Sequence, residues 1–144
     1  MVAIEGGRRA LVVGTDDWAI DRAAARLEEA SFTVLRCHEP GEPCFPCNAL
    51  REGRSCPVEV GVDVVATIRA RPLRSAAEGE FGIICARREG VPLVVAGLSS
   101  EALNPWASAV VDYEGDLGTV CAKVVTESTD LVARPGRRAR RGSV

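Results

Sequence analysis

Arg9-Ala-Leu-Val-Val-Gly14, a short run of leucine and β-branched residues ending in glycine, decides the fold together with the helix-patterned stretch after it. The run reads as a buried strand. Asp16 and Asp17 then offer side-chain oxygens to cap a helix. From Trp18 to Ala30 the apolar residues Ile20, Ala23, Ala24 and Leu27 recur at helical spacing, with arginine and glutamate on the other face. Phe32 to Arg36 reads as a second strand.

The same alternation continues further along the chain. Val62 to Thr67 predicts a third strand, and Ser75 to Glu89 a helix weakened by Gly79 and Gly82. Val91 to Ala96 predicts a fourth strand, with Pro92 tolerable near its start. A short helix is expected over Ser99 to Leu103, stopped before Pro105. Ala107 to Asp112 reads as a fifth strand and Leu117 to Val125 as the last helix. Strands alternating with helices imply a parallel sheet covered on both faces. Right-handed crossovers leave few topologies, of which the flavodoxin-like order 2-1-3-4-5 is the commonest at this size. The expected fold is therefore an α/β domain over residues 1–130 with a five-stranded parallel sheet, joined to a basic, disordered tail over 131–144.

Residues 37–60 break the pattern. Cys37-His-Glu-Pro-Gly-Glu-Pro-Cys-Phe-Pro-Cys47 holds three prolines and a glycine and continues no regular element. A loop this long inside a compact domain needs something to order it. Its cysteines are spaced Cys37-x6-Cys44-x2-Cys47-x8-Cys56. A Cys-x2-Cys pair lets two thiolates of one tight turn reach one metal, and the outer two complete a tetrahedral set. Four such thiolates suit an iron–sulfur cluster or Zn²⁺. Zinc ribbons usually carry two Cys-x2-Cys knuckles, and this loop has one. Cys56-Pro57, Pro43-Cys44 and Pro46-Cys47 resemble the proline-flanked cysteines of ferredoxin-type sites. The reading favours an iron–sulfur cluster, with 4Fe-4S as the expected type, over zinc, with metal-free reactive thiols as a third reading. His38, the one histidine, is expected beside the centre rather than on it, and Cys85 and Cys121 as ordinary buried cysteines on apolar helix faces.

In the expected topology the loop leaves the carboxyl end of strand two. A metal there would lie near the switch-point crevice, with Thr15, Asp16, Asp17 and Thr67 as candidates to hydrogen-bond to cluster or ligand. The alternative for these four is capping and strand-end solvation.

The first βαβ cadence (Arg9-Ala-Leu-Val-Val, the Trp18–Ala30 helix, Phe32-Thr-Val-Leu-Arg36), together with Val62-Asp-Val-Val and Val91-Pro-Leu-Val-Val, resembles the receiver domain of bacterial response regulators over residues 8–126. The residues of phosphoryl chemistry are missing from it. Gly14 and Thr15 stand where that family has acids that hold Mg²⁺, with Asp16 and Asp17 about two positions late. Thr67 and Ile68 stand near the phospho-acceptor, Gly97 replaces the Thr/Ser after strand four, and Glu114 falls near the lysine after strand five. The resemblance thus implies a pseudo-receiver that is not phosphorylated on aspartate, with the cysteine loop in place of the second helix.

Composition narrows the function classes. The chain has 144 residues, 47% of them apolar and 4% aromatic, so one domain with a Val/Ala/Leu/Ile core is expected. No apolar run is long enough to span a bilayer, and Met1 to Gly7 is too short and polar for a secretory signal. The expected compartment is the cytosol, where thiols stay reduced. Five of the 18 basic residues (Arg134, Arg137, Arg138, Arg140, Arg141) lie in the last 14 positions, leaving 13 basic against 20 acidic in the body, about −7. Such a body disfavours phosphate contacts, so any nucleic-acid binding falls to the tail. There is no G-x-G-x-x-G or Walker A sequence, nor a Ser-His-Asp set. The expectation is a non-enzymatic regulatory or redox-sensing module with a protein partner. An electron-transfer protein and a zinc-stapled interaction module are the alternatives.

Overall fold

A computed structural model of the chain describes residues 7–39, 41–71, 78–98 and 103–132. Strands β1 (Arg9–Gly14), β2 (Thr33–Leu35), β3 (Val64–Arg69), β4 (Leu93–Gly97) and β5 (Ala107–Val111) form one parallel sheet in the order β2-β1-β3-β4-β5. Helices α1 (Asp17–Glu29), α2 (Pro57–Val60, a single turn), α3 (Gly82–Arg88) and α4 (Leu117–Val132) complete the regular elements, with short 3-10 turns at Asn48–Leu50, Glu78–Glu80 and Asn104–Trp106. This is the flavodoxin-like topology that the alternating pattern predicts, with the cysteines placed after β2.

Alternation along the strands sorts the core into two layers. Val12, Ala66 and Val94, in register across the central strands, face Leu27 of α1 and Leu117, Cys121 and Val125 of α4. Leu11, Val13, Val65 and Val95 face the opposite way, onto Ile83 and Ala86 of α3, with Leu103, Cys37 and Val58 packed alongside. Among the described residues, the first layer is covered by two long helices and the second by the seven residues of α3, the cysteine loop and Leu103. Cys121 is fully buried in the first layer, as expected of it.

Several boundaries differ from the sequence reading. β3 starts two residues late because the Asp63 carboxylate accepts the Arg9 N–H (2.8 Å) before pairing begins. It also runs on through Arg69, a charged residue that is nonetheless buried. Of the helix expected over 75–89, residues 75–77 lie outside the described residues, and the rest is the 3-10 turn at Glu78–Glu80 and then α3. Of the helix expected over 99–103, residues 99–102 lie outside the described residues, and Pro105 sits inside the next 3-10 turn. α4 runs to Val132, past the last apolar residue that sequence periodicity used to end it. Residues 131–132 are therefore helical, and 133–144, with the basic tail, lie outside the described residues.

Asp116 caps α4. Its carboxylate accepts the Thr119 N–H (3.1 Å) and hydroxyl (2.7 Å), and these two bonds, the hydroxyl's first, lower its pKa. A carboxylate depressed by folding stabilises the fold above its unfolded value of about 3.9, and that contribution disappears as pH falls through the folded value. Asp116→Ala should therefore be less stable than the parent by a constant margin above about pH 5, with the margin closing in acid. Urea unfolding across pH 3–7 measures this, and a margin independent of pH would rule out the charged cap.

Candidate functional site

Although irregular, the loop from Cys37 to Cys56 is closed by its own polar contacts. Asn48, buried to 7% exposure, donates its side-chain N–H to the Arg36 carbonyl (3.1 Å) and its backbone N–H to that of Cys37. Its Oδ1 accepts from Arg54 (3.1 Å), and Arg54 also holds both oxygens of Glu42 (2.6 and 3.0 Å). That pairing with Arg54 keeps the Glu42 carboxyl down at about 2. Arg51 donates to the Pro46 carbonyl, and Pro57 at the first position of α2 ends the irregular stretch. None of Asn48, Arg54 or Glu42 stood out in the sequence, since each is a polar residue in a polar loop.

Inside this ring the thiols meet α3. A cavity of about 170 Å³ is lined by Cys37, Cys44, Cys47 and Cys56, by His38, and by Cys85 of α3. Its other walls are largely apolar, with Phe45, Val58 and Phe81 among them. The cavity lies on the α3 face of the sheet. Gly79 and Gly82 allow the chain to approach so closely. A Cβ on Gly82 would lie 2.8 Å from Cys37 Sγ and 3.1 Å from Val13, and one on Gly79 would strike the Gly14 carbonyl oxygen and come within 3.5 Å of Cys44 Sγ. Burial, with the neighbouring charges of Cys47, Cys56 and Cys85, pushes the Cys37 thiol up to about 12. Cys85 is raised too, mainly by desolvation.

Cys85 is thus not the ordinary buried cysteine expected from helix periodicity. It is solvent-exposed and faces the thiols of the loop. Among the described residues no three His, Cys, Asp or Glu side chains are grouped tightly enough to hold a single metal ion.

Thr15, Asp16, Asp17 and Thr67 do not line the cavity. Thr15 donates to Asp16 (3.1 Å), and Asp16 also accepts from Arg71 (3.2 Å). Asp17 reaches the loop, accepting the Gly41 N–H (3.2 Å) and lying 3.9 Å from His38 Nε2. Thr67 is fully buried, and its hydroxyl donates to Glu80. Glu80 also accepts two hydrogen bonds from Arg69 (2.9 Å each), with both side chains completely buried. This ion pair ties the segment that carries Gly79 and Gly82 to the carboxyl end of β3.

No protein-family model matches the chain, and no curated protein matches it in sequence. Among solved structures it is similar to a response regulator from Burkholderia multivorans, at 19% identity and a TM-score of 0.47, covering 85% of this chain and 95% of that one. A 3-dehydroquinate dehydratase-like protein from Bifidobacterium longum gives 13% and 0.45, covering 84% and 96%. The Vibrio vulnificus NanR protein complexed with ManNAc-6P gives 13% and 0.49, and there 97% of this chain spans 55% of the other. The strand order itself carries the assignment to the flavodoxin-like, receiver-like fold. No helix of the described residues is long and apolar enough to cross a membrane.

Proposed function

We propose that the thiol pocket holds an iron–sulfur cluster of the 4Fe-4S type, and that the chain is a receiver-like regulatory or redox-sensing module. Gain, loss or oxidation of the cluster takes the place of aspartyl phosphorylation as the switch. One observation carries this reading: five thiols from a loop and a helix line a single, mostly apolar cavity. Cys37, Cys47 and Cys56 are assigned as ligands, with the fourth from Cys44 or Cys85. A tetrahedral zinc site has bonds of roughly 2.3 Å, which puts its thiolates about 4 Å apart. A cavity of about 170 Å³ lined by five thiols has room for a polynuclear centre, whose ligands are spread more widely than that. A thiolate in such surroundings needs a cation beside it, because burial alone favours the neutral thiol.

The scaffold supports the absence of phosphoryl transfer. Thr67, near the acceptor position, is buried under Glu80, and Asp16 is engaged by Thr15 and Arg71. Filling the pocket orders both the loop and α3, and that free energy is available to bias the adjoining surface. Phe45 and Phe81, 62% and 53% exposed at the cavity, favour a protein partner on this face.

Anaerobic purification with iron, sulfide and zinc analysis tests the reading. The native chain is expected to carry about four iron and four sulfide, with visible charge-transfer absorption, and Cys47→Ser to lose nearly all of both. One zinc per chain would turn the loop into a structural staple. Metal-free protein under these conditions would leave only reactive thiols.

A further inference from the structure

A cluster of this type takes four protein thiolates, and five line the cavity. We infer, on the basis of the cluster reading, that Cys85 of α3 supplies the fourth thiolate and that Cys44 lies outside the ligand set. The positions along the segment decide it. Gly79, Gly82 and Cys85 succeed one another at intervals of three residues, the spacing that places side chains on one face of a helical segment. Gly82 is the point of closest approach to Cys37 Sγ, so Cys85, one turn further on, stands next to Cys37 on the cavity side. Cys44 lies at the other end. Its sulfur sits against Gly79, where the segment meets the Gly14 carbonyl at the end of β1.

This assignment changes what the centre does. Four ligands within the loop would make a self-contained knuckle. A ligand from α3 makes the cluster a cross-link between the loop and the helix that covers Leu11 and Val13 of β1. Cluster loss would then release α3 as well as the loop.

The test compares native protein, Cys85→Ser and Cys44→Ser, all purified anaerobically. It reads iron and sulfide content and the electron paramagnetic resonance spectrum after reduction with dithionite. Far-UV circular dichroism checks folding, and Cys85 is surface-exposed, so serine there leaves the core intact. Cys85→Ser is expected either to lose at least tenfold in iron or to retain iron with altered g-values, as an oxygen ligand replaces sulfur. Cys44→Ser is expected to keep the native iron content and spectrum. A native spectrum in Cys85→Ser, or loss of iron in Cys44→Ser, overturns the assignment while leaving the cluster itself in place. Native protein without iron removes the cluster reading, and this inference with it.

Discussion

Glu80→Ala is expected to lose about 3–5 kcal/mol of stability. Arg69 and Glu80 are wholly buried and joined by two parallel hydrogen bonds, with the Thr67 hydroxyl on the same carboxylate. Truncating the acid leaves a guanidinium away from water without this partner. That is far costlier than losing an exposed pair such as Arg22–Glu114, where water takes over and about 0–1 kcal/mol is at stake. Replacing both partners with methionine should recover most of the loss, because the desolvation of both charges is then removed too. Urea unfolding of the single and double variants measures both effects. A loss below about 1 kcal/mol for Glu80→Ala would mean that the pair does not hold the 78–82 segment to β3.

Gly79→Ala is expected to cost about 1–3 kcal/mol or more, and to empty the thiol pocket. The added methyl meets the Gly14 carbonyl oxygen, a backbone atom that no rotamer change can move aside. The turn before α3 must lift from the end of β1, carrying Gly82 away from Cys37 and shifting Cys85 relative to the loop. Iron content should fall with stability, whereas a surface substitution such as Glu52→Ala should move neither. Gly79→Ala with native stability and native iron would show that the close approach is dispensable.

Both positions show where a sequence can be read and where it cannot. Strand order and the α1 and α4 faces were legible because residues on the α1–α4 side of the sheet repeat with simple periods, and right-handed crossovers leave little choice. The cysteine spacing showed that the loop was special. Arg69 was not legible: an arginine at a strand end ordinarily marks solvent, and its burial depends on Glu80, eleven residues away across a segment with no clear pattern. Gly79 and Gly82 read as weak points of a helix, when their missing side chains are what lets the chain press against β1 and the thiols. Cys85 was misread because helical period places a residue on a face without saying whether that face meets the sheet or a cavity. For Thr15, Asp16, Asp17 and Thr67 strand-end position left open whether they serve a ligand or the ends of the elements; their side chains bond to Asp16, Arg71, Gly41 and Glu80, partners that no sequence period picks out.

The unequal thickness of the two layers also bears on how long the protein lasts in a cell. Leu11, Val13 and Val65 belong to the central strands, yet among the described residues their cover is a seven-residue helix, Leu103 and a loop held by a few polar contacts. A chain whose loop and α3 let go together would bare a continuous aliphatic strip in the middle of its sheet, the kind of surface that chaperones and proteases triage. If the pocket holds the proposed cluster, its occupancy would then set the abundance of the protein as well as its conformation, and turnover would clear the empty form.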